Sequence, residues 1–458
     1  MMNKFNIAVV GNGIIGTMIA YQLSKKKNNV VIIGPKNRKG GASKAAGAML
    51  NVFGEIDYDI EKNEYLKRKI NLGILASKKW NKLKKDKNFK DVFTADDTII
   101  FQSKKATYLE KLCFNSIKKY AKKFKILIEK HKKLNFLKKS KSFKSNKFFM
   151  LKGEGAIDIK RLFNNLDRYL KYKNNITYKD DYVKKISKIK GKMQITTNKN
   201  EIFFANKIII CNGSFLKDIN FQGKKNILDV YYGIGNAVEI YDKNNILSNQ
   251  LPARTVVRSP NRGSTCGIHI VPRKNGEYYL GAGSEISHKE NYKSKIGTIL
   301  YLINAAKNEI IKNIAKLNFS PVLGFRPFSF DGQPMFGKLN NEISIVSGTK
   351  RDGLTLAPLI ADEIIKEVQI KNYKSKLFYG WSPLRKPISY KDQSFSSKVY
   401  IENKIAGLLE HKDISKKDVP KVKRDLMKES VFFHKKIIKL KNLDKNFAIH
   451  PELLNTFK

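Results

Sequence analysis

Six residues near the N-terminus, Gly11-Asn12-Gly13-Ile14-Ile15-Gly16, have the G-x-G-x-x-G spacing that binds a dinucleotide pyrophosphate. The chemistry is steric as much as electrostatic. The first glycine permits a tight turn, the second lets phosphate approach the backbone, and the third lets a helix lie close to a strand. A helix N-terminus following the turn aims its unpaired N–H groups and the positive end of its dipole at the phosphates. Such sites are usually closed by an acid at the end of the second strand, which takes the ribose hydroxyls. Here that position is Gly34, followed by Pro35 and Lys36. Two readings stay open on this ground. Either the ribose is held by backbone or by Asn37, or Lys36 and Arg38 take a 2′-phosphate, which would mean NADP.

The flanking pattern supplies the elements such a turn needs. Phe5 to Val10 reads as a strand, Thr17 to Leu23 has helical spacing, and Val30 to Ile33 is a short apolar run suited to a buried parallel strand. A second small-residue block, Gly40 to Leu50, lets backbone approach a ligand closely. From Leu66 to Lys147 the chain reads as mostly helical and basic, with Val92 to Gln102 extended. Asp158 is placed to cap a helix through Leu162 and Leu166. Short strands are expected around Ile176 to Tyr178, Tyr182 to Ile189 and Met193 to Thr197, then a buried strand running from Lys207 into the turn Asn212-Gly213. Leu228 to Ile286 alternates apolar and polar residues between Gly and Pro signals, the pattern of an antiparallel sheet and a candidate substrate wall. A strand over Ile343 to Ser347, the segment Gly348 to Pro358 and a helix through Ile360, Ile364 and Val368 close the motif-bearing part.

Composition bounds the answer. The 458 residues, 41% of them hydrophobic, suit two or three interleaved domains. Cys113, Cys211 and Cys266 form no C-x-x-C pair, which argues against a disulfide scaffold and a zinc site, and we expect no metal. A cytoplasmic location fits them. The apolar run from Phe5 to Leu23 is broken by glycines, Asn12 and Gln22, so we expect no membrane span. The net charge of +50 permits a nucleic-acid partner but does not favour one, because the charge is mostly lysine, with only 12 arginines, spread along the whole chain.

Four blocks together resemble the flavoprotein family of D-amino acid oxidase, glycine oxidase and sarcosine oxidase, over approximately residues 5 to 365. They are the glycine turn with Gly41-Ala42-Ser43 and Ala46 to Leu50; Ile208 to Gly213; Gly324-Phe325-Arg326-Pro327 with Asp331-Gly332-Gln333-Pro334; and Gly348 to Pro358. The resemblance implies FAD as cofactor and an α/β (α+β overall) fold, in which a Rossmann-type FAD-binding domain is interleaved with an antiparallel-sheet substrate domain. We expect the first to comprise residues 1–80, 150–225 and 325–375, and the second 81–149 and 226–324. A basic C-terminal extension, 386–458, carries no motif.

By the same resemblance, Gly11, Gly13, Ile14, Ile15, Gly16, Gly34 and Pro35 would surround the pyrophosphate and ribose, and Val183 the adenine. Ser43, Ala46, Gly47 and Met49 would lead towards the flavin ring, with Gly213 and Gly348 at strand ends beside it. The backbone from Arg351 through Asp352, Gly353 and Leu354 to Thr355 would meet the pyrimidine edge. Arg326 stands in the family's G-x-R-P position, where a guanidinium can bind a substrate carboxylate through two parallel hydrogen bonds. His269 falls where a Tyr commonly faces substrate, and Arg351 would pair with the substrate or donate near the flavin. The implied reaction passes a hydride from a small carboxylated amine to flavin N5, leaving an imine, with no side-chain acid or base required. Two alternatives keep the flavin: a C–OH donor such as a 2-hydroxy acid, or an amine carried on transfer RNA. The electron acceptor, oxygen or another, stays open.

Overall fold

The computed structural model describes residues 4–56, 63–104, 106–140, 143, 145–223, 226–263 and 265–457; residues 57–62, expected in the first domain, lie outside them. Strands Lys4–Val10 and Val30–Ile33 pair in parallel, and both are apolar where they lie in the sheet interior, as a sheet covered on both faces requires. The strand Ile176–Lys179 extends this sheet beyond Val30–Ile33, and Ile202–Ile210 followed by Ile343–Ser347 extends it on the other side, all parallel. The first half of Ile202–Ile210 also closes an antiparallel meander with Lys192–Thr197 and Val183–Ile189. Helices Ile14–Leu23 and Gly353–Gln369 pack on one face with Trp80 and Leu162. The second of these begins at Gly353, so Pro358 lies inside it rather than before it.

The second sheet is built around Val230–Tyr241, which pairs antiparallel with Glu277–Gly283, Glu285–Ser287 and the long strand Asn318–Ser329. Thr265–Pro272 pairs with Glu277–Gly283 on one side and Thr255–Arg258 on the other. Thr255–Arg258 then runs parallel to Phe93–Ser103, which pairs with Ser145–Ile157. Residues 150–157 thus run in this sheet, although they were expected with the nucleotide-binding segments, because their partner is Phe93–Ser103. Asp158 does cap the helix Ile159–Lys171, its side chain accepting from the Arg161 N–H.

The C-terminal extension is part of the core. Helices Gln393–His411 and Val419–Lys441 and the 3-10 turn Pro451–Phe457 bury Ile401, Phe433, Ile437 and Leu454 in one apolar cluster with Val31, Ile33 and Ile210 of the parallel sheet.

Candidate active site

One cavity of about 460 Å³ runs from the glycine turn to the second sheet. At its near end each glycine has a distinct steric reason. Gly11 has φ of +105°, and a Cβ on it would stand 2.6 Å from the Cys211 carbonyl oxygen. A Cβ on Gly16 would stand 1.9 Å from the Gly11 carbonyl oxygen, so this glycine sets the packing of helix on strand rather than lining the cavity. Gly13 caps the helix Ile14–Leu23 without a side-chain hydrogen bond, and the Ile14 N–H donates to Ser43 Oγ at 3.0 Å.

The ribose end answers the question left by Gly34. A Cβ there would lie 2.6 Å from Asn12 Oδ1, so the Asn12 amide fills the space an acid would use. That amide donates to the Pro35 carbonyl at 2.9 Å and to the Tyr178 hydroxyl, which fixes it. The 2′-phosphate alternative fails here. Arg38 holds Asp167 through two hydrogen bonds of 2.8 and 2.6 Å and donates to the Asn12 carbonyl, which leaves no fork for a phosphate. Lys36 is exposed and does not line the cavity. Nor does Asn37, whose side chain instead accepts from the Lys39 N–H. Val183 lines the cavity beside Asp181 and Tyr182. Asp181 is turned into its own loop, accepting from the Tyr182 and Lys199 N–H groups.

The far end lies between the helix Gly353–Gln369 and the second sheet. Asp352 is that helix's N-cap residue but makes no side-chain capping bond, so a second helix N-terminus faces the cavity with its N–H groups uncapped by a side chain. Burial and the neighbouring Glu55 push the Asp352 carboxyl up to about 7, against Lys69 and Arg351. Glu55 goes the other way: burial would raise it, but Arg351, Lys350 and Lys69 hold it well below the usual carboxylate range. Arg351 donates from Nε to Glu55 Oε1 at 2.5 Å and from Nη1 to Asn261 Oδ1 at 3.0 Å. Lys350 Nζ lies 2.8 Å from Glu452 Oε1 and 3.4 Å from Glu55 Oε2, which ties the C-terminal turn to this loop.

On the sheet side Arg326 donates from Nη1 to Cys266 Sγ at 2.9 Å and from Nη2 to the Gly283 carbonyl at 2.8 Å, with a longer contact to the Ile234 carbonyl. Its hydrogen-bond partners are backbone carbonyls and this thiol, with no carboxylate among the described residues, although it lines the cavity. Burial would raise the Cys266 thiol, yet the Arg326 and Arg351 guanidiniums hold it below its ordinary value. His269 is buried, stacks on Tyr279 with ring centroids 5.7 Å apart, and among the described residues has no hydrogen-bond partner at Nδ1. Burial, then the Arg258 charge, lowers it to about 3, so it is neutral near pH 7.

The cavity brings together Gly11, Gly13, Ile14, Ile15, Gly34 and Pro35 at one end and His269, Arg326 and Arg351 at the other. Ser43, Ala46, Gly47, Met49 and Gly213 line the stretch between them, and Asp352, Gly353 and Leu354 the helix start. Gly348 and Thr355 do not line it. Gly348, at φ of +64°, turns the chain, and Thr355 Oγ1 accepts from the Asn51 N–H at 3.1 Å. Reading the sequence missed Arg258, Cys266 and Asn51, which also line it. Only Arg258 carried a signal, a charge ending the apolar run Thr255-Val256-Val257.

A helix N-terminus at each end of the cavity, one behind Gly13 and one behind Asp352, suits a dinucleotide with phosphates at one end and a charge-accepting ring at the other. Fold and site therefore define a dinucleotide-dependent oxidoreductase. The family model described as DAO, FAD dependent oxidoreductase, matches residues 6–367, and the chain belongs to that family, with FAD as its cofactor. Among solved structures it is similar to glycine oxidase from Geobacillus kaustophilus, with a TM-score of 0.69 at 19% identity, covering 84% of this chain and 100% of that one. Iminodiacetate oxidase from Chelativorans sp. BNC1 gives 0.66 at 16% identity over 82% and 99% of the two chains. L-alpha-glycerophosphate oxidase from Mycoplasma pneumoniae gives 0.63 at 19% over 85% and 100%. No curated protein matches the sequence. Among the described residues no helix is long and apolar enough to cross a membrane.

Proposed function

We propose that the protein oxidises the C–N bond of a small carboxylated amine to an imine, which water then hydrolyses. The observation that carries this reading is the Arg326 guanidinium, which faces the cavity beside the neutral ring of His269 with no carboxylate partner among the described residues. Bound FAD supplies the hydride acceptor; the chain's own residues orient the donor and set its charge. A substrate carboxylate on Arg326 fixes one end. The guanidiniums of Arg258, Arg326 and Arg351 disfavour a further positive charge, so the amine next to them loses its proton more readily and presents the free base that can become an imine.

A C–OH donor needs a base to take its hydroxyl proton. His269, lowered to about 3, is a poor one, which favours the amine over the alcohol. The proposed division of labour follows the two sheets: the parallel sheet with its two helices holds the cofactor, and the second sheet supplies the substrate wall. Gly11, Gly13, Ile14, Ile15, Gly34, Pro35, Ser43, Ala46, Gly47, Met49, Val183, Gly213, Asp352, Gly353 and Leu354 are proposed to surround the FAD, and Arg326, His269 and Arg351 the substrate. The test is anaerobic bleaching of the flavin absorbance by a panel of amino acids, N-methyl amino acids and 2-hydroxy acids. Bleaching by the amines is expected; bleaching by hydroxy acids alone would refute the reading.

A further inference from the structure

In the reading above Arg258 contributes only its charge, and its hydrogen-bond donors have no assigned partner in the substrate. It ends the strand Thr255–Arg258, is 3% exposed, and stands across from His269 in the antiparallel pairing. Its guanidinium lines the same cavity as Arg326. Nη2 makes one long hydrogen bond to Asn51 Oδ1 at 3.3 Å and a loose ion pair with Glu154 Oε2 at 3.8 Å, beyond hydrogen-bond range, and among the described residues Nε has no partner. Glu154 is held from its other side, Oε1 accepting from the Phe53 N–H at 2.8 Å.

Buried arginines elsewhere in the chain are treated differently. Arg273 donates to Glu239 at 2.6 Å, Arg262 to Glu309 at 2.6 Å and Glu110 at 3.2 Å, and Arg38 to Asp167. A guanidinium taken from water without a bonded anion is costly, and the fold removes that cost wherever packing is the arginine's only role. Among the described residues, Arg258 and Arg326 are the two buried or half-buried arginines of the cavity wall without a hydrogen-bonded carboxylate. They converge on one strand: Arg326 reaches Cys266, and Arg258 faces His269, three residues on. The strand is irregular between them, with Gly267 at φ of +79°, so the two positions are at most about 10 Å apart, the reach of three extended residues and of one small molecule.

We propose that the substrate carries two anionic groups, one met by Arg326 and the second by Arg258, so that the enzyme selects an amine with an additional carboxylate or phosphate over a simple amino acid. This rests on the amine reading for the reacting bond, but not for the anions. Nε of Arg258, unpaired among the described residues, and Nη2, held only by the long bond to Asn51, offer the second acid charge-assisted hydrogen bonds in a water-poor site, where they are strongest. His269, neutral between the two guanidiniums, competes for neither acid.

The test titrates the FAD-loaded protein at fixed ionic strength with acetate, succinate, glutarate and phosphonoacetate, following perturbation of the flavin spectrum. At least one of the three dianions is expected to bind about 10-fold or more tighter than acetate, and R258Q is expected to abolish most of that advantage while changing acetate binding little. Whether the dicarboxylates or phosphonoacetate lead tells carboxylate from phosphate at the second position. Dianions binding no tighter than acetate would overturn the proposal without recourse to any variant, and an advantage that survives intact in R258Q would overturn the assignment to Arg258. Failure of every amine to bleach the flavin while the dianion advantage persists would remove the amine reading alone.

Discussion

Gly34 and Asn12 occupy one site between them: a Cβ at position 34 would stand 2.6 Å from Asn12 Oδ1 and 3.0 Å from Asn12 Cβ. The missing acid at the end of the second strand is therefore not a gap in the cofactor site. The Asn12 amide, braced by the Pro35 carbonyl and the Tyr178 hydroxyl, has taken its place.

Restoring the acid alone should thus weaken the protein. Gly34→Asp is expected to raise the FAD dissociation constant and lower the melting temperature, because Asn12 must leave two hydrogen bonds worth about 1 kcal/mol each. Pairing it with Asn12→Gly should recover much of the loss. FAD titration of the apoprotein checks both; tighter binding by the single variant would contradict the steric account.

Arg326→Ala should raise KM for a carboxylated substrate by roughly 30-fold or more, since a charge-assisted hydrogen-bond pair of about 2 to 3 kcal/mol is lost. Steady-state kinetics measure it. Unchanged saturation would remove Arg326 from substrate binding, and Arg326→Lys should rescue only part of it, because an ammonium lacks the planar fork.

The pH profile should carry no limb from His269. Held to about 3 by burial and then by Arg258, its ring stays neutral throughout the range from pH 5 to 9 in which an ordinary histidine would titrate. His269→Gln is therefore expected to shift kcat or KM without moving the acid limb of kcat/KM. An acid limb near pH 6.5 that vanishes in the variant would contradict the neutral ring.

Asp352 should make stability fall as pH rises. Its carboxyl is raised to about 7 from an ordinary 3.8, so between those values the unfolded chain loses a proton that the folded chain keeps. Stability from this group is full below pH 3.8 and declines until the folded carboxyl also ionises near 7. Asp352→Asn is expected to flatten that slope in urea unfolding measured from pH 5 to 7.5; an identical slope would contradict the shift.

Leu454 tests whether the C-terminal extension is structural. It is fully buried on the turn Pro451–Phe457, in the cluster that contains Ile33 and Ile210. Leu454→Ala should cost about 2 to 5 kcal/mol and release FAD in the same unfolding transition. Release at unchanged denaturant midpoint would mean that the extension folds apart from the cofactor core.

Local rules made the nucleotide end legible: Gly11, Gly13 and Gly16 are spaced as a turn demands, Val30 to Ile33 is apolar as a parallel strand demands, and Asp158 caps a helix as its side chain permits. The block from Gly348 to Pro358 likewise announced the second helix, though not that Pro358 would lie inside it. Everything decided by contact between distant segments had to wait for the tertiary structure. Asn12 fills the space an acid would use only because Gly34, 22 residues on, passes against it. Arg38 is taken from any phosphate by Asp167, and Arg258 becomes a cavity residue through its pairing with His269. The extension is core because its apolar residues close on a sheet face formed some 200 to 400 residues earlier in the chain. Spacing along a chain encodes turns, caps and strand faces. Which charges go unpaired is set by what folds against them.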